Sequence, residues 1–377
     1  MTKTTLKFTS IFRASLLGAA IFFTASCTKD DGTPQQVTDP TTGISTDSLG
    51  KTLVENYVDP WHKAVNDAGF VQKTAQIGTA NISYTEGPKN GPALVMLHAQ
   101  MEDWFDYSRV LPQLSKTYHI FVIDYHGHGK TTAPVSSMNA NDIGNDLANF
   151  MQTKIGEAAF VTGNSSGGLL TAWLAANKPD LVRAVVLEDP PLFSSEYPRI
   201  KTTVAYQSFA NSHTYVNTTD LTNDFLLYWL NNSPLFVANY LGTEKLPYLI
   251  AAIKIYETSH PGEPVELPLP ASLSMLFRGI SQYDPHFGDA FYMGTWNAGF
   301  DHAEALKKIK CPVLLLQANY EVTVNGILDG AMNQADVDLA MSLLTNGTYQ
   351  KVDASHVVHL DKPALFISAI NTFFLNK

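Results

Sequence analysis

The chain has 377 residues, a formal net charge of −10, and 45% hydrophobic against 16% charged residues. Those proportions belong to a globular protein with room for a large core, not to a disordered chain. The acidic balance argues against nucleic acid or an anionic membrane surface as a partner, and two cysteines, Cys27 and Cys311, exclude a disulfide-stapled scaffold.

Residues 1–27 read as a signal segment. Lys3, Lys7 and Arg13 make a basic start, and Ala14 to Phe23 is an apolar stretch too short to span a membrane. It ends Thr24-Ala25-Ser26-Cys27. Small residues before a cysteine resemble a bacterial lipobox, with Thr24 where an aliphatic residue is usual. The resemblance implies that Cys27 is lipidated and becomes the N-terminus of a protein anchored in the cell envelope. The following Thr28-Lys29-Asp30-Asp31 resembles the export tether of surface lipoproteins, which points to the outer membrane or cell surface of a bacterium. An ordinary secreted protein cleaved nearby is the alternative. Residues 28–50 are rich in Thr, Asp, Gly and Pro without apolar periodicity, the composition of a flexible tether.

From residue 51 the pattern becomes that of a packed domain. Leu53 to Phe70 reads as a helix lying on it. Gln76–Thr79 and Asn81–Thr85 read as a hairpin, Ala93–His98 as a buried strand, Tyr107–Leu114 as a helix and His119–Tyr125 as another apolar strand. Asn141–Ile155 places Ile143, Leu147, Phe150 and Met151 on one helical face. Strands are then predicted at Ala158–Gly163, Arg183–Glu188, Pro312–Gln317 and Thr348–Val352, with a closing helix over Pro363–Phe374. Strands alternating with helices predict a doubly wound, mostly parallel sheet. The alternation stops between Phe193 and Asn297, where aromatic residues such as Tyr206, Phe209, Trp229, Phe287 and Trp296 are concentrated. This stretch is read as a helical cap over residues 193–297, between core segments 51–192 and 298–377.

The chemistry centres on Gly163-Asn164-Ser165-Ser166-Gly167, preceded by an apolar strand and followed by the helical pattern of Leu169, Leu170, Ala172, Trp173 and Leu174. A serine on so tight a turn presents its hydroxyl clear of the sheet, and the flanking glycines remove Cβ atoms that would block the bend. A serine hydroxyl is a poor nucleophile at neutral pH and needs a histidine base, itself oriented by an acid. His356, in Ser355-His356-Val357-Val358-His359 after the last predicted strand, stands where a loop can bring it over Ser165.

The elbow, the late Ser355-His356, the Asp124-x-x-Gly127-x-Gly129 turn and the loop containing His98 follow one another in the order found in the α/β-hydrolase superfamily, which the chain resembles from about Gln76 to the C-terminus. The resemblance implies the α/β-hydrolase fold with a cap. It also implies an oxyanion hole from the N–H groups of Gln100 and Ser166, with Ala99 replacing the usual glycine of that loop. His98 is read as a structural residue. For the acid, the commonest family position, after the strand ending at Gln317, falls on Glu321. Relatives that place it one strand earlier point to Asp189, with Glu188 as a third candidate. His126 with His128, and His356 with His359, could suggest metal ligands, but no cluster of cysteines or carboxylates accompanies them, and no metal or organic cofactor is implied. His359 is read as a packing or hydrogen-bonding neighbour of the last helix.

The expected function is a serine hydrolase cleaving a carboxylic ester, lactone or related small-molecule acyl substrate through an acyl-enzyme. A carbon–carbon bond hydrolase or a cofactor-free perhydrolase would use the same residues. Epoxide hydrolases and haloalkane dehalogenases usually carry an aspartate nucleophile, against which Ser165 counts. A surface-anchored binding protein that keeps the fold without turnover is the reading from another class.

Overall fold

The computed structural model describes residues 48–218 and 224–376. The signal segment, its Cys27 and nearly all of the tether lie outside the described residues. The strands are β1 (Val71–Ile77), β2 (Ala80–Glu86), β3 (Ala93–Leu97), β4 (His119–Ile123), β5 (Ala159–Asn164), β6 (Val182–Glu188), β7 (Val313–Gln317), β8 (Glu321–Val322), β9 (Leu328–Asp329) and β10 (Gly347–Lys351). The helices are α1 (Ser48–Glu55), α2 (Trp61–Asp67), α3 (Leu111–Leu114), α4 (Ala140–Phe150), α5 (Ser166–Asn177), α6 (Ala205–Val216), α7 (Phe225–Asn231), α8 (Pro234–Phe236), α9 (Leu246–Ser259), α10 (Ala271–Ile280), α11 (His286–Met293), α12 (His302–Lys308), α13 (Gln334–Leu343), α14 (Val358–Asp361) and α15 (Pro363–Phe374). Among the described residues no helix is long and apolar enough to cross a membrane.

Eight strands form one sheet in the order β1-β2-β4-β3-β5-β6-β7-β10. The β1–β2 and β2–β4 pairs are antiparallel, and every pair from β4 to β10 is parallel. Strands β3, β5 and β7 are buried along their whole length, which is why they read as continuous apolar runs: parallel strands are covered on both faces. Alternation divides their side chains between two cores. Val95 and Leu97 join Val161, Val185 and Leu187 on the side of α4 and α5, while Leu94, Met96 and Val186 face Phe366, Ile370 and Phe374 of α15. Strand order reverses between β3 and β5, so their carboxyl ends, Leu97 and Asn164, flank the switch point where such sheets bind ligands.

The stretch from Phe193 to Asn297 contributes α6 to α11, joined by turns and by an irregular segment over residues 260–270. Phe287, Phe291 and Trp296 are buried within it. The cap is tied to the core by polar side chains as well as by apolar packing: Arg278 of α10 donates to Glu266 within the cap and to Asp103 of the core, and His62 of α2 lies 2.6 Å from Glu266.

Three helical expectations are interrupted. Leu53–Phe70 is split into α1 and α2 around Pro60, which lacks an N–H and restricts the residue before it. Asn141–Ile155 is α-helical only to Phe150, then widens into a π turn closed by Gly156 at φ 72°. Tyr107–Leu114 is a 3₁₀ turn, Trp104–Arg109, running into the short α3.

Helices α4 and α5 touch through a glycine. A Cβ on Gly144 would lie 2.2 Å from the ring of the buried Trp173, whose Nε1 donates to Asn141 Oδ1 at 2.8 Å. Gly144→Ala gains about 1 kcal/mol of helix propensity but forces the two helices apart, an overpacking that costs about 1–3 kcal/mol or more. A net loss of stability is expected in urea unfolding followed by tryptophan fluorescence; unchanged or increased stability would refute this packing.

Candidate active site

At the end of β5 the chain turns through Ser165, a non-glycine residue at φ 54° and ψ −121°, directly into α5. Such a conformation costs about 1–3 kcal/mol and persists only where its surroundings impose it. The imposing contacts are close. A Cβ on Gly163 would sit 2.2 Å from Gly167 O, and one on Gly167 would sit 2.2 Å from Leu97 O and 2.4 Å from His98 O. Both glycines of the elbow are there for space, and the second presses the start of α5 against the end of β3. Ser165 N–H donates to Glu188 O at 3.0 Å, fixing the turn to β6. Ser166 is the first residue of α5, so its N–H is among the amides a helix leaves without an internal acceptor.

The loop after β3 carries Gln100 and is held by residues distant in sequence. Tyr125 OH donates to His98 O at 3.0 Å and therefore receives the Ser166 hydroxyl proton at 2.9 Å, stitching this loop to the elbow. Met101, at φ 64°, donates its N–H to His128 Nε2 at 3.2 Å. His128 must then be neutral, with Nδ1–H donating to His126 O at 3.0 Å. Burial holds its pKa well below the usual histidine value, in agreement with that hydrogen-bond pattern. The buried His98 donates from Nδ1 to Ala99 O at 2.8 Å and stacks on Tyr125, a structural part. His126 contacts Ser137 and lies 3.2 Å from Asp146.

His356 lies in the loop between β10 and α14, and its Nδ1 donates to Asp189 Oδ2 at 2.7 Å. Asp189 follows β6 at φ 44°. Its other oxygen accepts Ala318 N–H at 3.1 Å, and its own N–H donates to Leu316 O at 2.8 Å, so β7 fixes the carboxylate. Asn164, just before the serine, donates to His356 O at 2.9 Å and to Glu188 O at 3.1 Å, joining the histidine loop to the elbow. Burial opposes protonation of His356, but the Asp189 hydrogen bond and charge outweigh it and raise the imidazole above its usual value. Glu321 is not brought to this histidine: it is exposed on β8, opposite Asp329 of β9. Glu188 is turned to His359.

His359 is fully buried and clamped by two carboxylates. Its Nδ1 donates to both oxygens of Glu188 at 2.9 Å, its Nε2 to Asp106 Oδ2 at 2.9 Å, and its ring stacks on Tyr107 at 3.9 Å. Against the opposing effect of burial, Glu188 and then Asp106 lift its pKa to about 10. Sequence reasoning missed this triad, because Asp106, Glu188 and His359 carry no local signal of belonging together. It also missed Tyr125, His128 and Asn164 as the ties of the two loops.

Ser165, Ser166, Gln100 and His356 line one cavity of about 260 Å³ beneath the cap, walled by Met101, Phe209 and Phe291 and reached by Asp329. The arrangement can deprotonate a hydroxyl aimed at a bound electrophile and offer helix and loop amides to the charge that develops there.

A family model described as alpha/beta hydrolase fold matches residues 92–244. The chain is 28% identical over 120 residues to 2-(acetamidomethylene)succinate hydrolase of Mesorhizobium japonicum, covering 32% of this chain and 43% of that protein. It is 26% identical over 126 residues to fluoroacetate dehalogenase of a Burkholderia species, covering 32% and 41%. The chain thus spans less than half the length of these curated relatives. The crystal structure of E-2-(acetamidomethylene)succinate hydrolase superimposes with a TM-score of 0.56 at 20% identity, over 81% of this chain and 99% of that one, a likeness of fold.

The raised pKa of His359 makes a stability prediction. A group bound more tightly to its proton when folded stabilises fully below its unfolded value, near 6.5, and the contribution disappears as pH rises through about 10. The unfolding free energy should therefore fall over that window. His359→Gln, which leaves Glu188 and Asp106 facing each other without a cation, should cost about 3–5 kcal/mol and flatten the dependence; a variant with wild-type stability and slope would refute the clamp.

Proposed function

We propose that this chain, which has the α/β-hydrolase fold, is a serine hydrolase cleaving a carboxylic ester, lactone or related acyl substrate through Ser165, His356 and Asp189. The observation that carries the reading is the pairing of a serine on a strained elbow with a histidine in the same cavity whose far nitrogen is held by Asp189 at 2.7 Å. His356 Nε2 takes the Ser165 proton as Oγ attacks the carbonyl carbon. The carbonyl oxygen becomes an oxyanion in reach of the Ser166 and Gln100 N–H groups. Collapse expels the alcohol, which receives the proton from His356, and leaves an acyl-enzyme. Water then gives a proton to the same nitrogen, attacks the acyl carbon, and Ser165 recovers its hydrogen as the acid departs. Asp189 holds Nδ1–H and stabilises the imidazolium without itself being protonated.

The named relatives include a succinate hydrolase and a dehalogenase. Ser165 at the elbow favours acyl transfer over carbon–halogen displacement. Among the described residues no Lys or Arg lines the cavity to receive the two carboxylates of a succinate. The same reading anchors the protein in the cell envelope through Cys27, and Cys27→Ser should move it from the membrane fraction to the soluble fraction; membrane association that survives the change would refute the anchor.

A fluorophosphonate probe should label the purified protein but not Ser165→Ala, and a folded wild type that resists labelling would overturn the reading. Asp189→Asn should lower kcat on an acyl ester by about four orders of magnitude, whereas Glu321→Gln should stay near wild type. His356 works as a base only when neutral. With its pKa raised above 6.5, kcat/KM should fall with decreasing pH from a point above that value.

A further inference from the structure

Beyond the reacting atoms, the cavity is lined by side chains whose polar groups share one character. Ser194 Oγ donates to Ala331 O, Ser195 Oγ to Pro191 O at 2.8 Å, and Thr203 Oγ1 to Ile200 O at 2.7 Å. Ser208 Oγ donates to Met101 Sδ at 3.6 Å. Each of these four hydroxyl protons is committed within the protein, so what remains for a ligand is oxygen lone pairs. One of the two Gln100 Nε2 hydrogens is likewise engaged, with Tyr283 OH at 2.7 Å.

Apart from His356, the ionisable group at this wall is Asp329. Among the described residues its carboxylate has no hydrogen-bonding or ion-pairing side chain, although the residue is half-buried. Directly across the β8–β9 pair stands Glu321, a second carboxylate. Like charges placed opposite each other on paired strands destabilise the pair unless something neutralises them, and among the described lining residues only the His356 imidazole, with no Lys or Arg, is there to do so. Phe209 and Phe291, which stack on each other at 5.0 Å, complete the wall as apolar surface. The chain as a whole carries a formal charge of −10, which favours the approach of cations.

We propose that Asp329 is a specificity-determining residue and that the acyl substrate carries a cationic, ammonium-type group seated against it. This rests on the serine-hydrolase reading and adds the substrate class. A cationic substrate meets a carboxylate and acceptor oxygens; an anionic one meets the Asp329 charge, with His356 and the remaining Gln100 Nε2–H as the donors outside the oxyanion amides.

The test uses 4-nitrophenyl esters whose acyl chains end in trimethylammonium, its neutral tert-butyl isostere or a carboxylate, and a second series with these groups on the alcohol side. In at least one series, kcat/KM for the ammonium ester should exceed that of the tert-butyl ester by about tenfold or more, with the carboxylate ester slowest. Asp329→Asn should bring the ammonium to tert-butyl ratio towards one, and Asp329→Lys should move preference towards the carboxylate ester. Because the esters compared share one base at one pH, the ratio cancels any effect of Asp329 on His356 and any partial loss of folded protein. A wild-type ratio at or below one in both series, or a preference that Asp329→Asn leaves intact, overturns the assignment. Turnover of the tert-butyl ester and fluorophosphonate labelling report on the serine chemistry separately. If these persist while the preference is absent, the specificity proposal alone is wrong; if no ester turns over and no label attaches, both readings fall.

Discussion

The site rests on a contact between backbone and backbone, where Gly167 lies against the carbonyls of Leu97 and His98 with no space for a methyl group. That contact fixes how far α5 can advance towards the sheet, and with it the position of the first amides of the helix. The loop carrying Gln100 springs from the same β3 end, so one steric limit places the Ser166 amide beside it. Strain at Ser165 follows from the same limit, because the chain must pass from a fully buried strand to a fully pressed-in helix in one residue. The Tyr125 hydroxyl, bonded to both His98 O and Ser166 Oγ, then holds the two sides together.

The histidine loop is positioned by a different physical means. Consecutive residues at the end of β6 reach different histidines, Asp189 meeting His356 and Glu188 meeting His359. The His359 grip is ionic and buried, an arrangement that stabilises little compared with apolar packing but is costly to break on one side. Its value to the site is directional. With His359 locked between Glu188 and Asp106, and Asn164 holding His356 O, the loop between them has little freedom to tilt.

Much of this was legible in the sequence because it is periodic or short-range. The apolar runs of β3, β5 and β7, the elbow glycines and a histidine after the last strand each announce themselves within a few residues. The acid did not. Strands β6 and β7 are adjacent and parallel, so Asp189 and Glu321 follow neighbouring strand ends, and spacing alone could not separate them. What separates them is that Asp189 donates its N–H to Leu316 O and accepts Ala318 N–H on its carboxylate, contacts between segments more than a hundred residues apart. His128 was equally opaque: two histidines one residue apart resemble ligands on paper, whereas His128 is a hydrogen-bond acceptor for Met101 N–H. Where Pro60 interrupts the first helix, a local signal was present but was outweighed by the apolar pattern around it.

The origin of the acid has an effect on what can vary. With His356 oriented from β6, the stretch from Asn319 to Gly330 that follows β7 has no part in holding the imidazole. It is a short hairpin at the rim of the cavity, with Val324 almost wholly exposed at its turn. Its length can therefore change without unseating the hydrogen bond between Asp189 and His356, while its Asp329 charge is still felt by the imidazole. The scaffold that orients the imidazole and the hairpin that borders the cavity are thus separate segments, tied by charge but not by a shared hydrogen bond.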